Sequence, residues 1–295
     1  MKFWADEYDY GDIPALAEKL LAWLDNEKAI VTSIGIKLTN KCSLNCKHCV
    51  DRVPYMQHKW DVPLDTVRRD LALVLDNAVY VGMVTFVTGE VFLYPYLDEV
   101  LRIVTDSPKI HQIMINTNGT VLPSSTAVPY LQSPKCIINI SDYGDIVRMA
   151  RAVDFYERNH INFDIRTEMK WKPYGAYPKR QGKSIDELKK LFASCALAIA
   201  CPPLMSDGKV SFCGLPDKFR ELGAYDGTRD FVDLSEKGKF KENFYRMMDT
   251  DYMECCDMCD VATLGNSTEY VTAGEQIDSK KQWHRSGCTI VKRYE

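Results

Sequence analysis

Cysteine is the residue type whose number and spacing ask for a chemical explanation in this 295-residue chain, which holds eleven of them. The stretch "KLTNKCSLNCKHC", residues 37–49, packs Cys42, Cys46 and Cys49 into eight residues, at gaps of three and then two. Neighbours this close cannot easily form unstrained disulfides with one another. A metal ion, a metal cluster, or a redox pair with a spare thiol are the alternatives. A second set lies downstream: Cys195, Gly208 and Cys213 form a C-x12-G-x4-C run, and Cys256 and Cys259 a C-x2-C. A cubane iron–sulfur cluster takes cysteine thiolates, and a C-x3-C-x2-C loop can wrap three of its corners. The fourth iron is then a binding position, as the open coordination site is in a catalytic zinc centre. Zinc also accepts paired C-x2-C couples, so spacing alone does not decide.

The elements that must position these thiols follow from periodicity. After a helical lead-in at Ile13–Lys28, β-branched runs alternate with amphipathic segments. "AIVTSIGIKLT", "VGMVTFVTG", "HQIMINTNG", "KCIINISDYG" and "INFDIRTE" read as strands. "PLDTVRRDLALVLDN", "YPYLDEVLRIVTDS" and "DIVRMARAVDFYERN" have helical spacing. The alternation predicts βαβ units, right-handed crossovers and a parallel sheet. The expected class is α/β, a partial (β/α)6 TIM-like barrel with a small cysteine-rich C-terminal subdomain. Ligands gather at the carboxyl ends of such strands, where the first cysteine loop falls. The expected organisation is a lead-in over 1–30, a barrel over 31–190 and the subdomain over 191–295. "SIDELKKLFASC" reads as a helix capped by Ser184, and "CPPLMSDGKVSFCG" as a hairpin turning at Asp207–Gly208.

Composition removes several classes of function. A 46% hydrophobic and 26% charged chain is an ordinary globular one, and at net charge −4 no basic run suggests nucleic acid. The acidic, aromatic N-terminus is wrong for a signal peptide, and no apolar run reaches membrane-spanning length. The expectation is a cytoplasmic protein, where structural disulfides are rare.

"CSLNCKHC" resembles the signature of the radical S-adenosylmethionine (SAM) enzymes. The resemblance implies a [4Fe–4S] cluster on Cys42, Cys46 and Cys49 that chelates SAM. It implies reductive cleavage of SAM to a 5′-deoxyadenosyl radical that abstracts hydrogen from an unactivated C–H bond. The family carries a "GGEP"-like loop after its second strand to hold the methionyl ammonium. Here "TGEV", residues 88–91, stands at that place, with Thr88 for the first glycine and Val91 for the proline. Gly89 lets the backbone approach a ligand, and Glu90 offers a carboxylate to an ammonium. Asn116 and Asn118 of "NTNG", and Ser141 and Asp142 of "SDYG", end the third and fourth strands near the implied ribose site. His48 fills the slot before the third cysteine where the family has an aromatic residue near adenine.

The downstream set resembles the auxiliary-cluster extension of these enzymes, in its shortened twitch form rather than the longer SPASM form. The implied ligands of a second [4Fe–4S] cluster are Cys195, Cys213, Cys256 and Cys259. Cys201 or Cys255 could replace a neighbour, and a zinc site made of four cysteines is the alternative. Full ligation would leave this cluster to electron transfer. Shortened relatives include cyclitol and aminoglycoside dehydrogenases, so the implied reaction is oxidation of a carbohydrate or cyclitol. A flavodoxin- or ferredoxin-type electron donor is implied with it. Epimerisation stays open, with Cys201, Cys255 or Cys288 as hydrogen donor, as do dehydration and ribosomal-peptide modification. Some thirty residues precede the first strand, too few for a peptide-recognition domain of about eighty. A cluster carrier would not need the SAM-loop set.

Arg166 and Glu168, at the end of the fifth strand, are candidate substrate or SAM contacts. Lys170, Lys172, Lys179 and Arg180 read as a solvated loop in preference to a phosphate-binding one. His111, His160 and His284 read as surface or structural residues, and Cys136 as core.

Overall fold

The computed structural model describes residues 18, 21–22, 27–167, 170–171, 178–195, 201–259, 270–277 and 290–292. Most of the expected lead-in helix, together with Glu168, Lys172, His284 and Cys288, lies outside them.

Strands β1 (Ala29–Lys37), β2 (Ala78–Val87), β3 (Ile110–Thr117), β4 (Cys136–Ser141) and β5 (Phe163–Arg166) lie side by side, every neighbouring pair parallel. Helices α1 (Leu64–Asn77), α2 (Leu97–Asp106), α3 (Val128–Leu131) and α4 (Ile146–Arg158) supply the crossovers. The sheet is apolar because its strands are buried: Ile34, Ile36, Val84, Phe86, Ile113, Ile138 and Ile140 are all at most 2% exposed. Each helix turns one stripe to that core, such as Val67, Leu71 and Val74 on α1 and Val100, Leu101 and Val104 on α2. Asp145 starts α4 by accepting from the Arg148 amide. Cys136 is fully buried in β4, as expected of a core residue.

Beyond β6 (Lys170–Trp171), helix α5 (Ile185–Ala193) begins with a capping box between Ser184 and Glu187. The chain then returns to the sheet. β7 (Leu204–Ser206) pairs parallel with β1 at Gly35 and Ile36, making a sixth parallel strand. β8 (Lys209–Ser211) pairs antiparallel with β7. The turn between them places Asp207 at φ 52° and Gly208 at φ 73°, the two left-handed residues of a tight hairpin. Asp70 of α1 clamps this turn, accepting from the Asp207 and Gly208 amides at 2.8 Å each. Helix α6 (Leu215–Glu221), β9 (Val232–Asp233) and α7 (Phe240–Met248) complete the lobe. The sheet order is β11-β5-β4-β3-β2-β1-β7-β8-β9, where β11 (Ile290–Lys292) runs antiparallel to β5. β10 (Val271–Thr272) pairs with β6. The architecture is thus an α/β partial barrel of six parallel strands, and the C-terminal hairpin extends its sheet.

A second apolar cluster sits beside the main core. Leu215, Phe219, Tyr225, Met253, Cys255 and Met258 are buried in it, and Val50, Cys213, Cys256 and Cys259 pack against it.

Candidate functional site

The first cysteine loop leaves the end of β1 and is tied shut at its base. The Asn40 carboxamide donates to the His58 carbonyl at 2.8 Å and accepts from the Trp60 amide at 2.7 Å. Thr39 donates to Asp61 at 2.7 Å, and the Val62 amide donates to the Leu38 carbonyl at 2.8 Å. Residues 41–57 therefore form one closed loop over the carboxyl ends of the strands, with Cys42, Cys46 and Cys49 on it.

The loops after β2 and β3 meet it there. Gly89 has φ 65°, and a Cβ at that position would stand 2.4 Å from the Lys41 carbonyl oxygen. Only glycine lets the two loops touch. The Glu90 amide donates to that carbonyl at 2.8 Å. Thr88, where the family has glycine, keeps the left-handed backbone at φ 77°, and its hydroxyl is buried without a hydrogen bond among the described residues. Asn118 donates its carboxamide to Cys42 Sγ at 3.5 Å and to Ser43 at 3.2 Å, and Ser43 in turn meets Thr120.

Glu90 is wholly buried and accepts from the Asn118 amide at 2.9 Å, from Thr117 Oγ1 at 2.7 Å and from the Phe92 amide at 3.4 Å. Burial nonetheless pushes its carboxyl up to about 7, against these donors and the positive charge of Arg148. Burial likewise raises the Cys42 thiol, lifts Cys46 to about 11 and lifts Cys49 to about 12. These thiols hold their protons until a cation replaces them.

Asn116 accepts from the Asn139 carboxamide at 3.2 Å and donates to Thr85 at 3.4 Å, a polar row across β2, β3 and β4. Asp142 closes the turn after β4, accepting from the Gly144 amide at 2.8 Å. Ser141 hydrogen-bonds Tyr143, and Tyr143 stacks edge-on against Trp171 at 5.6 Å. His48 Nε2 lies 3.6 Å from Glu275, while burial lowers its pKa. The Arg166 side chain is exposed; its carbonyl accepts from the Asp142 amide.

Several participants have no local sequence signal. The Arg148 guanidinium sits 5.9 Å from the Tyr143 ring centre, with Nε and Nη2 buried and unbonded among the described residues. Asn139 presents a buried, unbonded Oδ1. Asp51, two residues past Cys49, ion-pairs with buried Lys218 of α6. Desolvation alone would lower the Lys218 pKa; Asp51, with the Cys213 and Cys49 sulfurs, outweighs it and leaves it raised.

In the second set, Asp230 organises the turn. Its buried carboxylate accepts from the Glu254 and Cys255 amides at 2.7 and 2.9 Å and from the Tyr225 hydroxyl at 2.8 Å. Cys255 donates its proton to Cys256, which holds the Cys256 thiol below its usual range. Burial drives the Cys213 thiol far up. Cys195 lies just past α5, half-buried, and Cys201 is exposed.

Among the described residues no three His, Cys, Asp or Glu side chains converge on one metal ion. The unbonded Thr88 hydroxyl, Asn139 carbonyl and Arg148 guanidinium add polar capacity for a ligand with both charges. The residues at the loop ends fit a cluster with a bound amino acid.

These features define a class. Residues 36–192, more than half of the chain, match the model of the radical SAM superfamily, and the chain belongs to that superfamily. Membership implies a SAM-binding [4Fe–4S] cluster and SAM as cofactors. GTP 3′,8-cyclase of Chlorobaculum tepidum is 30% identical over 109 residues, 35% of this chain and 31% of that protein. The match thus spans less than a third of the curated relative's length. The structure of BtrN with AdoMet and 2-DOIA aligns at a TM-score of 0.51 and 16% identity, over 85% of this chain and 99% of that one. SuiB of Streptococcus suis, bound to S-adenosylmethionine, aligns at 0.39 and 18% identity, over 53% of this chain and 40% of that one. No helix among the described residues is long and apolar enough to cross a membrane.

Proposed function

We propose that this radical SAM enzyme oxidises an alcohol carbon of a carbohydrate or cyclitol, with a second [4Fe–4S] cluster as electron acceptor. Cys195, Cys213, Cys256 and Cys259 are its proposed ligands. The observation that carries this reading is the gathering of Cys213, Cys256 and Cys259 on one apolar cluster, beside the first cysteine loop. The Asp51–Lys218 ion pair joins the first cysteine loop to helix α6, which follows Cys213. A lone SAM-binding cluster would not call for such a second set, and ligation by four cysteines suits electron transfer.

When bound, the SAM cluster and SAM supply a hydrogen-abstracting carbon radical. The chain's own residues do the rest. Glu90 and Thr88 receive the methionyl ammonium, and Arg148 lies close enough to help balance the Glu90 carboxylate. Asn118 orients Cys42. Asn116 and Asn139 offer amides toward ribose hydroxyls. Taking an alcohol to a carbonyl removes one hydrogen atom, one proton and one electron, and the second cysteine set supplies the electron's destination. A flavodoxin- or ferredoxin-type donor is the proposed source of the initiating electron, and the cytoplasm the proposed setting. BtrN, whose structure holds 2-DOIA, aligns over nearly its whole length, a likeness of fold that accords with this reading.

Epimerisation is the second reading, because exposed Cys201 lies near Cys195 and the Asp51–Lys218 pair and could donate hydrogen. Cys255 is a poorer donor, being buried with its proton already shared with Cys256.

Iron and sulfide counts on anaerobically reconstituted protein test the two-cluster reading. About eight irons are expected, falling to about four when Cys256 and Cys259 become alanine. A wild-type count of about four overturns it. Turnover in deuterated water separates the two reactions: deuterium at an inverted carbon, lost in Cys201→Ala, identifies the epimerase.

A further inference from the structure

A segment more than two hundred residues downstream lies across the SAM-cluster loop. Residues 273–277 leave β10, and Gln276 forms an antiparallel bridge with Cys46. The Lys47 amide donates to the Glu275 carbonyl at 2.7 Å, and the Ile277 amide to the Asn45 carbonyl at 2.9 Å. Glu275 adds an ion pair to Lys47 at 3.3 Å and lies 3.6 Å from His48 Nε2. Gly274, at φ 78°, presses against Tyr143 so closely that a Cβ would lie 2.4 Å from its ring.

The Gln276 carboxamide is fully committed. Its Oε1 accepts from the Asn45 amide at 2.7 Å. Its Nε2 donates to the Gly274 carbonyl at 2.7 Å and to Cys46 Sγ at 3.2 Å. Flipping the amide would set its oxygen against the Gly274 carbonyl and its NH2 against the Asn45 N–H. One orientation therefore satisfies the network, and in it an N–H points at a cluster ligand.

We propose that Gln276 is a positioning residue for the SAM-binding cluster. Its carboxamide fixes the 42–49 loop and gives Cys46 an N–H···S hydrogen bond that raises the cluster's reduction potential. The physical cause is simple. Reduction adds negative charge that spreads onto the thiolate sulfurs, and a donor aimed at a sulfur stabilises the reduced form more than the oxidised one. The bond ends on Cys46, the buried cysteine of the loop, where a hydrogen bond is less screened than in open water.

The test is a potentiometric titration, monitored by electron paramagnetic resonance, of reconstituted full-length protein without substrate. The reduced-cluster signal that SAM perturbs is the one followed. Gln276→Leu removes the donor. Gln276→Glu keeps an acceptor for the Asn45 amide and replaces the donor with a carboxylate. Loaded Gln276→Leu is expected to show about a tenfold lower ratio of reduced to oxidised cluster at a given potential, a midpoint about 59 mV lower. Gln276→Glu should fall further. If one variant fails to take up iron, the other carries the test. An unchanged midpoint in whichever variant loads overturns the proposal, and so does failure of both to load, which would make Gln276 an assembly residue only.

Discussion

Glu90→Gln should flatten the pH dependence of stability, because Glu90 is a buried carboxyl whose proton the fold retains. Its pKa is raised from 4.5 to about 7, chiefly by desolvation. The native state then binds this proton more tightly than the unfolded chain does. Stability is fully present below pH 4.5, falls as pH rises towards 7, and levels off above it. The shift corresponds to about 3 kcal/mol of stability lost across that window. The carboxamide of the variant has no proton to lose. In paired urea titrations of SAM-free protein from pH 4.5 to 8, the wild-type midpoint should slide relative to the variant by about 1 M, taking a slope of about 3 kcal/mol per M. The three donors around Glu90 make a constant offset between the proteins, not a slope. Parallel pH profiles would refute the burial argument. A corollary concerns binding: an ammonium requires the carboxylate, so SAM affinity of the cluster-loaded enzyme should tighten as pH rises towards 7. Calorimetry showing no such trend would separate Glu90 from the ammonium.

Three further substitutions probe the loop contacts. Gly89→Ala combines a left-handed φ with a collision against the Lys41 carbonyl and should cost about 2–5 kcal/mol; retention of full stability in urea would mean that the loops do not touch. Thr88→Gly relieves a β-branched residue at φ 77° and a buried unbonded hydroxyl, against the backbone entropy of glycine. A net gain of about 1 kcal/mol is expected in the SAM-free protein, and a loss would show that the hydroxyl is satisfied. Asp70→Ala strips both acceptors from the Asp207–Gly208 turn and should cost about 2–4 kcal/mol, with faster amide exchange at the hairpin tip; unchanged exchange there would refute the clamp.

The parallel strands were readable because buried α/β strands are runs of β-branched residues, and β1 to β5 all fall where such runs lie. The Asp207–Gly208 turn was readable for the same kind of reason, since its backbone needs residues that tolerate positive φ. Ser184 announced α5 through its capping box. What sequence could not supply were partners brought from afar. Arg148 looks like any charged helix residue until α4 turns it towards Tyr143 and Glu90. Lys218 meets Asp51 across 167 positions, and Gln276 meets Cys46 across 230. Asp70 sits in an amphipathic helix with nothing to mark it as a hairpin anchor. Asp142 reads as a ribose ligand, yet one of its oxygens is engaged in closing its own turn.

Strand β1 is a ruler between the two cysteine regions. Its carboxyl end releases the loop of Cys42, Cys46 and Cys49, and its free edge carries the β7–β8 hairpin that leads into Cys213. The Gly35 amide pins that edge to the Pro203 carbonyl at 2.7 Å. A slip of one residue there would displace the hairpin by about 3.3 Å along the strand. Separation between the two regions is therefore written in hydrogen-bond register rather than in linker length. A gap fixed by register does not depend on the length or course of the surface loops. Those loops can then change in sequence without altering the spacing of the two cysteine regions.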